Sequence, residues 1–375
     1  MSEVVAERVG RAGCITLNRP KALNALSLQM IRDLTAALLA WQDDDRIEVV
    51  LVRGQGKEGP FGAFCAGGDI RFFHRVVLAG NPELEDFFTE EYTLNHLVHG
   101  YRKPYVTFLD GIVMGGGMGI SQSVARPEPA DASHPNDRPV LRPQAARSRI
   151  VTERTKMAMP ETNIGLFPDV GGGWFLSRCP GRLGEYLALT GELLSGPEAL
   201  EAGLADAMLP AADLPVLWDR FTREGAEAIP PRQLAPSGKL TALRSEIDRV
   251  FALPTVRDIV QALEGSASEW AAHAAAMLRK RSPLMLHVTL EQVRRARGMD
   301  LAADLRMERD LVRHCFHLRP GVASETMEGI RAVAIDKDHA PRWNPARIED
   351  VTPEMVAPFF ESPWPLHAHP LRGLA

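Results

Sequence analysis

Val49-Val50-Leu51-Val52 carries no polar side chain, and no other stretch constrains the fold as tightly. A strand with alternating polar residues can leave one face wet, whereas a strand without them must be covered on both. Tyr105-Val106-Thr107-Phe108-Leu109 repeats the pattern, and Cys14-Ile15-Thr16-Leu17 is a shorter run ended by Asn18-Arg19-Pro20. Between them Ser27 is placed to cap a helix whose Ile31, Leu34, Leu38 and Trp41 recur at helical spacing. Strands alternating with helices predict an α/β core. From about Leu183 the pattern changes to successive helices separated by Gly and Pro, with amphipathic stretches near 238–263, 266–281 and 301–316. The chain therefore divides into a core over 1–205 and a helical C-terminal region over 206–375.

Ala125 to Ala145 holds five prolines (Pro127, Pro129, Pro135, Pro139 and Pro143) and hardly any apolar side chains. No regular element survives that composition, so an insertion at about 125–146 is expected as an appendage to the core. The whole chain, with 45% hydrophobic and 24% charged residues, can build an ordinary globular interior. A formal charge of −5 leaves no global basic field for nucleic acid or an anionic membrane. The four cysteines are scattered with no CxxC pair, which fits a reducing compartment and argues against a zinc site. The first residues have no apolar signal-peptide region, and no apolar run approaches the ~18 residues of a membrane span. A soluble, cytoplasmic protein is expected.

Gly54-Gln55-Gly56-Lys57-Glu58-Gly59 matches a dinucleotide fingerprint, but Pro60, Phe61 and Gly62 follow where a helix would have to begin. It reads as a strand-end loop. Phe64-Cys65-Ala66-Gly67-Gly68-Asp69-Ile70 is a tight turn in which Asp69 can cap a helix. Met114-Gly115-Gly116-Gly117-Met118-Gly119 follows a strand and opens an apolar, helix-like stretch. One amide from each of two such turns could point at a single oxygen, the construction of an oxyanion hole. In Met159 to Gly173, Glu161 and Asp169 stand among apolar neighbours punctuated by Gly165 and Pro168. Desolvation would raise the basicity of either carboxyl, and Asp169 could instead cap a helix. Ser121 and Ser123 lack a nucleophile elbow. His314 and His317 read as structural histidines without an acidic partner, His367 and His369 as solvated, and Glu90-Glu91 as a wet helix face.

Taken together, ITLNRPKALNAL (15–26), AFCAGGDI (63–70), EEYTLNHLV (90–98), KPYVTFLDGIVMGGGMG (103–119), MAMPETNIGLFPDVGGGWFLSR (157–178) and EGIRAVAIDKDHAPRWNP (328–345) resemble the crotonase (enoyl-CoA hydratase/isomerase) superfamily. PETNIGLFPDVGG resembles its 3-hydroxyisobutyryl-CoA hydrolase branch in particular. The resemblance implies a spiral of ββα units with two near-perpendicular sheets, so that 1–205 is a crotonase-like catalytic core. It implies an acyl-CoA thioester as substrate, with coenzyme A as part of that substrate and no separate cofactor or metal, and it leaves a homo-oligomer open. It assigns the oxyanion hole to the amides of Ala66 and Gly116, catalysis to Glu161 and Asp169, and substrate contacts to Gly67, Gly68, Asp69 and Glu91. Arg19, Lys21 and Arg71 are the cations nearest the motifs for the CoA phosphates. Hydratases carry a second glutamate three residues after Gly116, where this chain has Gly119. The implied activity is hydrolysis of a short 3-hydroxyacyl-CoA, the alternatives being an enoyl-CoA hydratase or isomerase and a non-catalytic acyl-CoA-binding protein.

Overall fold

The computed structural model describes residues 2–122, 147–235 and 237–375, so the expected insertion at about 125–146 lies outside the described residues. Strands β1 (Val4–Val9), β2 (Ala12–Leu17), β3 (Val49–Gly54), β4 (Tyr105–Leu109), β6 (Arg147–Val151) and β8 (Ala207–Met208) form one sheet in the order β1-β2-β3-β4-β6-β8. Only β1 and β2 pair antiparallel; the other neighbours are parallel. The apolar strands are covered on both sides, as their composition requires. Val50 and Val52 face the main core, whereas Val49 and Leu51 join Val106, Phe108 and Ile150 in a second cluster. Leu217, Trp218 and Phe221 of the helix Leu214–Glu224 close that second cluster.

On the main-core side lie α1 (Leu28–Trp41), α2 (Ile70–Leu78) and α3 (Glu83–His99). Ser27 caps α1 as expected, accepting the Met30 N–H at 3.2 Å. The main core runs unbroken from Val4 to Leu371 and includes apolar residues on either side of position 205. In the second half the predicted stretch 238–263 is two helices, Lys239–Phe251 and Val256–Glu264. Pro254 falls between them and Thr255 caps the second. Among the described residues no helix is long and apolar enough to cross a membrane.

Two short strands, β5 (Ile112–Met114) and β7 (Lys156–Ala158), make a separate parallel sheet. The sequence Arg149 to Glu161 reads as one strand leading to Glu161, but the chain turns at Thr152–Thr155 and changes sheets. Thr155 Oγ1 accepts the Thr152 N–H at 2.8 Å and donates to the Leu109 carbonyl at 2.7 Å. Asp110 ties the same corner, accepting from Thr152 Oγ1 at 2.6 Å, from Arg154, and from the Gly62 N–H at 2.6 Å. This corner sets up the site. Cys65 bridges Val113 in parallel, and Val113 is in register with Met157. Three segments thus leave one edge in the same direction, carrying Ala66-Gly67-Gly68, Gly115-Gly116 and Pro160-Glu161 side by side.

Candidate active site

The amides decide what the glycine turns can bind. Leu26 bridges Gly68 in parallel, so its N–H donates to the Gly67 carbonyl (2.7 Å) and its carbonyl accepts the Asp69 N–H (3.1 Å). In that pattern the N–H of the bridged residue itself points the other way. Among the described residues the Gly68 N–H accordingly meets no acceptor, and neither does the Gly116 N–H at the start of α4 (Gly116–Gln122). The turns face each other closely: a Cβ placed on Gly67 would stand 3.8 Å from the Gly116 nitrogen. Ala66 is a correction to the expectation above. Its N–H donates to the Leu23 carbonyl at 3.0 Å, so the amide of Ala66 is taken, whereas that of Gly68 is available on this turn.

Glu161 begins a 3-10 turn, Glu161–Ile164, closed by Gly165 at φ 66°. Its side chain lies against Gly115, where an added Cβ would come within 2.8 Å of Oε1. Glu91 approaches from the other side, its Oε1 2.6 Å from the Cβ position of Gly116. Both carboxyls are buried, and among the described residues Glu91 Oε1 and Glu161 Oε2 meet no hydrogen-bond partner. The solvated face expected for Glu90-Glu91 holds for Glu90, which pairs with Arg32 at 2.7 Å, and fails for Glu91, 2% exposed. Burial raises the Glu161 carboxyl well above its ordinary range, and the nearby Asp169 charge raises it further. Glu91 is raised by burial first, then by Asp169 and Glu161. Asp169 is pushed up to about 7 by burial, against the Tyr92 hydroxyl, which donates to its Oδ2 at 2.9 Å.

Asp169 does not cap the following helix. Val170 (φ 56°) and Gly171 (φ 84°) both stand in the left-handed region before α5 (Gly172–Ser177). For a β-branched residue that conformation costs on the order of 1–3 kcal/mol and persists only where surroundings enforce it. The amides at the start of α5 are taken by carboxylates from the helix Leu301–His317. Glu308 accepts from Gly171 (2.7 Å) and Gly173 (2.9 Å), and Asp304 accepts from Trp174 (2.8 Å). A Cβ at Gly173 would meet Asp304 Oδ1 at 2.4 Å, which accounts for glycine there. These acids lie 130 to 137 positions away in the chain, and nothing in the local sequence announces them.

A cavity of about 210 Å³ is lined by Ala66, Gly67, Gly68, Glu91, Gly115, Gly116, Glu161 and Asp169, with Ile70, Phe73, Phe88, Leu166 and Val333 among its apolar walls. Seven of the eight expected site residues thus converge. Asp69 does not join them: it accepts the Phe72 N–H at 3.2 Å as the cap of α2 and pairs with Arg19 at 2.7 Å. Arg19 also meets Glu3 at 3.2 Å, so two carboxylates already hold it. Lys21 and Arg71 are exposed and line no part of the cavity. His317 has the acidic partner its sequence context did not show, Glu85 Oε1 at 3.0 Å, and His369 is buried 3.3 Å from Asp310. A larger groove, about 560 Å³, is a shallow surface feature lined by Pro197, Leu200, Met208, Leu209 and Pro210, and brings no reactive groups together. Among the described residues no three His, Cys, Asp or Glu side chains are placed to hold a metal ion.

The fold that carries these turns is shared with known proteins. The enoyl-CoA hydratase/isomerase family matches residues 12–126 and 143–360, and the chain belongs to that family. The match omits 127–142, the middle of the proline-rich segment. Within the family the chain is 38% identical over 380 residues to the mitochondrial 3-hydroxyisobutyryl-CoA hydrolase of Danio rerio, covering 96% of this chain and 90% of that one. It is 36% identical to 3-hydroxyisobutyryl-CoA hydrolase 1 of Arabidopsis thaliana, over 96% and 92% of the two chains. Among solved structures, one described as an enoyl-CoA hydratase from Rhodobacter sphaeroides superposes with a TM-score of 0.83 at 38% identity, over 96% and 97% of the chains. The α/β fold expected from the sequence is that of these relatives.

Proposed function

We propose that this chain hydrolyses the thioester of a short 3-hydroxyacyl-CoA, 3-hydroxyisobutyryl-CoA in the first place, releasing 3-hydroxyisobutyrate and coenzyme A as in valine breakdown. The observation that carries the reading is the pair of unpartnered amides, Gly68 and Gly116, beside the buried Glu161 carboxyl. The thioester carbonyl oxygen would accept both N–H groups. Each donor aimed at the developing oxyanion is typically worth ~2.7–4 kcal/mol of transition-state stabilisation. Glu161 then works at the carbonyl carbon, as base toward water or as nucleophile through a mixed anhydride. Oxygen-18 appearing in Glu161 after a single turnover in labelled water identifies the anhydride route. Asp169, held by Tyr92, orients the water or the substrate hydroxyl, and Glu91 contacts the acyl group.

Position 119 supports hydrolysis over hydration. Water addition to a C=C bond uses paired acid–base work, and a side chain at Gly119 would start 2.6 Å from Val170 Cβ and 2.9 Å from Asn95 Nδ2. The second glutamate of a hydratase has no room there. The name carried by the Rhodobacter sphaeroides relative makes hydration the competing reading. Both are tested at once by supplying 3-hydroxyisobutyryl-CoA and crotonyl-CoA separately. Thiol release from the first without loss of enoyl absorbance from the second is expected; the reverse pattern overturns the proposal.

A further inference from the structure

We infer that Glu308, with Gln292, is a positioning residue that clamps the backbone on both sides of Asp169 and so aims its carboxyl into the cavity. The inference rests on the hydrolase reading of the site. Gln292 Nε2 donates to the Pro168 carbonyl at 2.7 Å, immediately before Asp169, and to Glu308 Oε1 at 3.0 Å. Glu308 Oε2 accepts the Gly171 N–H at 2.7 Å, two residues after it. The two ties bracket Asp169 and Val170, and are joined to each other through the Gln292–Glu308 bond. Both side chains are fully buried and neither lines the cavity, so their action on the substrate passes through the backbone they hold.

Capping of α5, whose N-cap is Gly171, accounts for only part of the arrangement. The helix needs its first amides satisfied, which Asp304 on Trp174 and Glu308 Oε1 on Gly173 already do. Glu308 Oε2 and Gln292 reach outside the helix, to the segment where Val170 and Gly171 are held in the left-handed region. A segment in that conformation relaxes when its ties are cut, and the first group displaced is the Asp169 carboxyl.

The test compares the full-length protein with Glu308→Gln and Gln292→Leu. Steady-state turnover of 3-hydroxyisobutyryl-CoA, the folded fraction by circular dichroism, and amide hydrogen exchange over 168–174 are measured on each. Glu308→Gln is expected to lower kcat per folded molecule about 10–100-fold with KM within about threefold, and Gln292→Leu to lower it less in the same direction. Exchange over 168–174 is expected to accelerate in both. Unchanged exchange together with unchanged kcat per folded molecule overturns the clamp, as does activity lost only in proportion to folded protein. If Glu308→Gln does not fold, Gln292→Leu decides alone. A wild-type protein that does not release thiol defeats the hydrolase reading instead, and exchange over 168–174 still decides whether the clamp exists.

Discussion

At Gly116 a methyl group would stand 2.6 Å from Glu91 Oε1 and 3.0 Å from Leu26 Cδ1, both fixed in the interior. Gly116→Ala is therefore expected to keep the amide but shift it from its partner on Gly68, lowering kcat/KM roughly 10–100-fold. Thiol-release kinetics check this, with wild-type rates as the contrary result. Tyr92 offers a finer probe. Its hydroxyl favours the charged form of Asp169, so Tyr92→Phe removes a stabiliser of the carboxylate and moves its pKa upward from about 7. The acid limb of the kcat/KM profile is expected to move to higher pH in that variant. The glycine turns, Glu161 and Asp169 could be read from the sequence because small residues and lone acids in apolar runs are visible locally. Which amide on the first turn is free could not, because the Leu26 bridge decides it, forty residues upstream of the turn. Glu91 was legible only through the family resemblance, because locally a Glu-Glu pair reads as wet until the partner elements bury one of the two.

At the level of elements, the apolar strands announced a sheet covered on both sides, and the caps at Ser27 and Asp69 were legible as side chains able to accept from a first helical turn. The change of sheet between β6 and β7 was not, since it depends on Thr155 reaching the Leu109 carbonyl on another strand. Asp69 belongs to this scale. It holds α2 in place, and α2 carries Phe73, whose ring would be met at 2.8 Å by a Cβ on Gly68. Asp69→Ala is expected to cost about 1–2 kcal/mol of stability, mostly through the lost cap, because the partly exposed Arg19 pair is screened. Asp69→Asn retains an acceptor for Phe72 and is expected to lose much less. Chemical denaturation of the two variants checks the order; equal losses would assign the effect to the ion pair.

Across the molecule, six buried acids among the described residues are pushed upward by burial: Glu91, Glu161, Asp169, Asp304, Glu308 and Glu325. An acid with a raised folded-state pKa favours the native state in its neutral form. Its contribution is full below the unfolded value and is lost as pH climbs through the folded value, about 7 for Asp169 and Asp304. Glu85, lowered to about 2 by its His317, Arg309 and Arg313 partners, works in the opposite sense and only in acid. The thermal midpoint is therefore expected to fall by a few degrees between pH 5 and pH 8, and less steeply in Asp304→Asn. A midpoint that rises over that range contradicts the assignment. Removing 127–142, which the family match omits, is expected to leave turnover unchanged, because β6 is already in full register with β4.

The most direct measurement is thiol release from 3-hydroxyisobutyryl-CoA by the wild-type protein and by Glu161→Gln, with substrate affinity followed in parallel. Steady turnover in the first, and its loss by at least about 10³-fold in a folded variant that still binds the thioester, is the predicted result. A Glu161→Gln protein that releases thiol at the wild-type rate would contradict it.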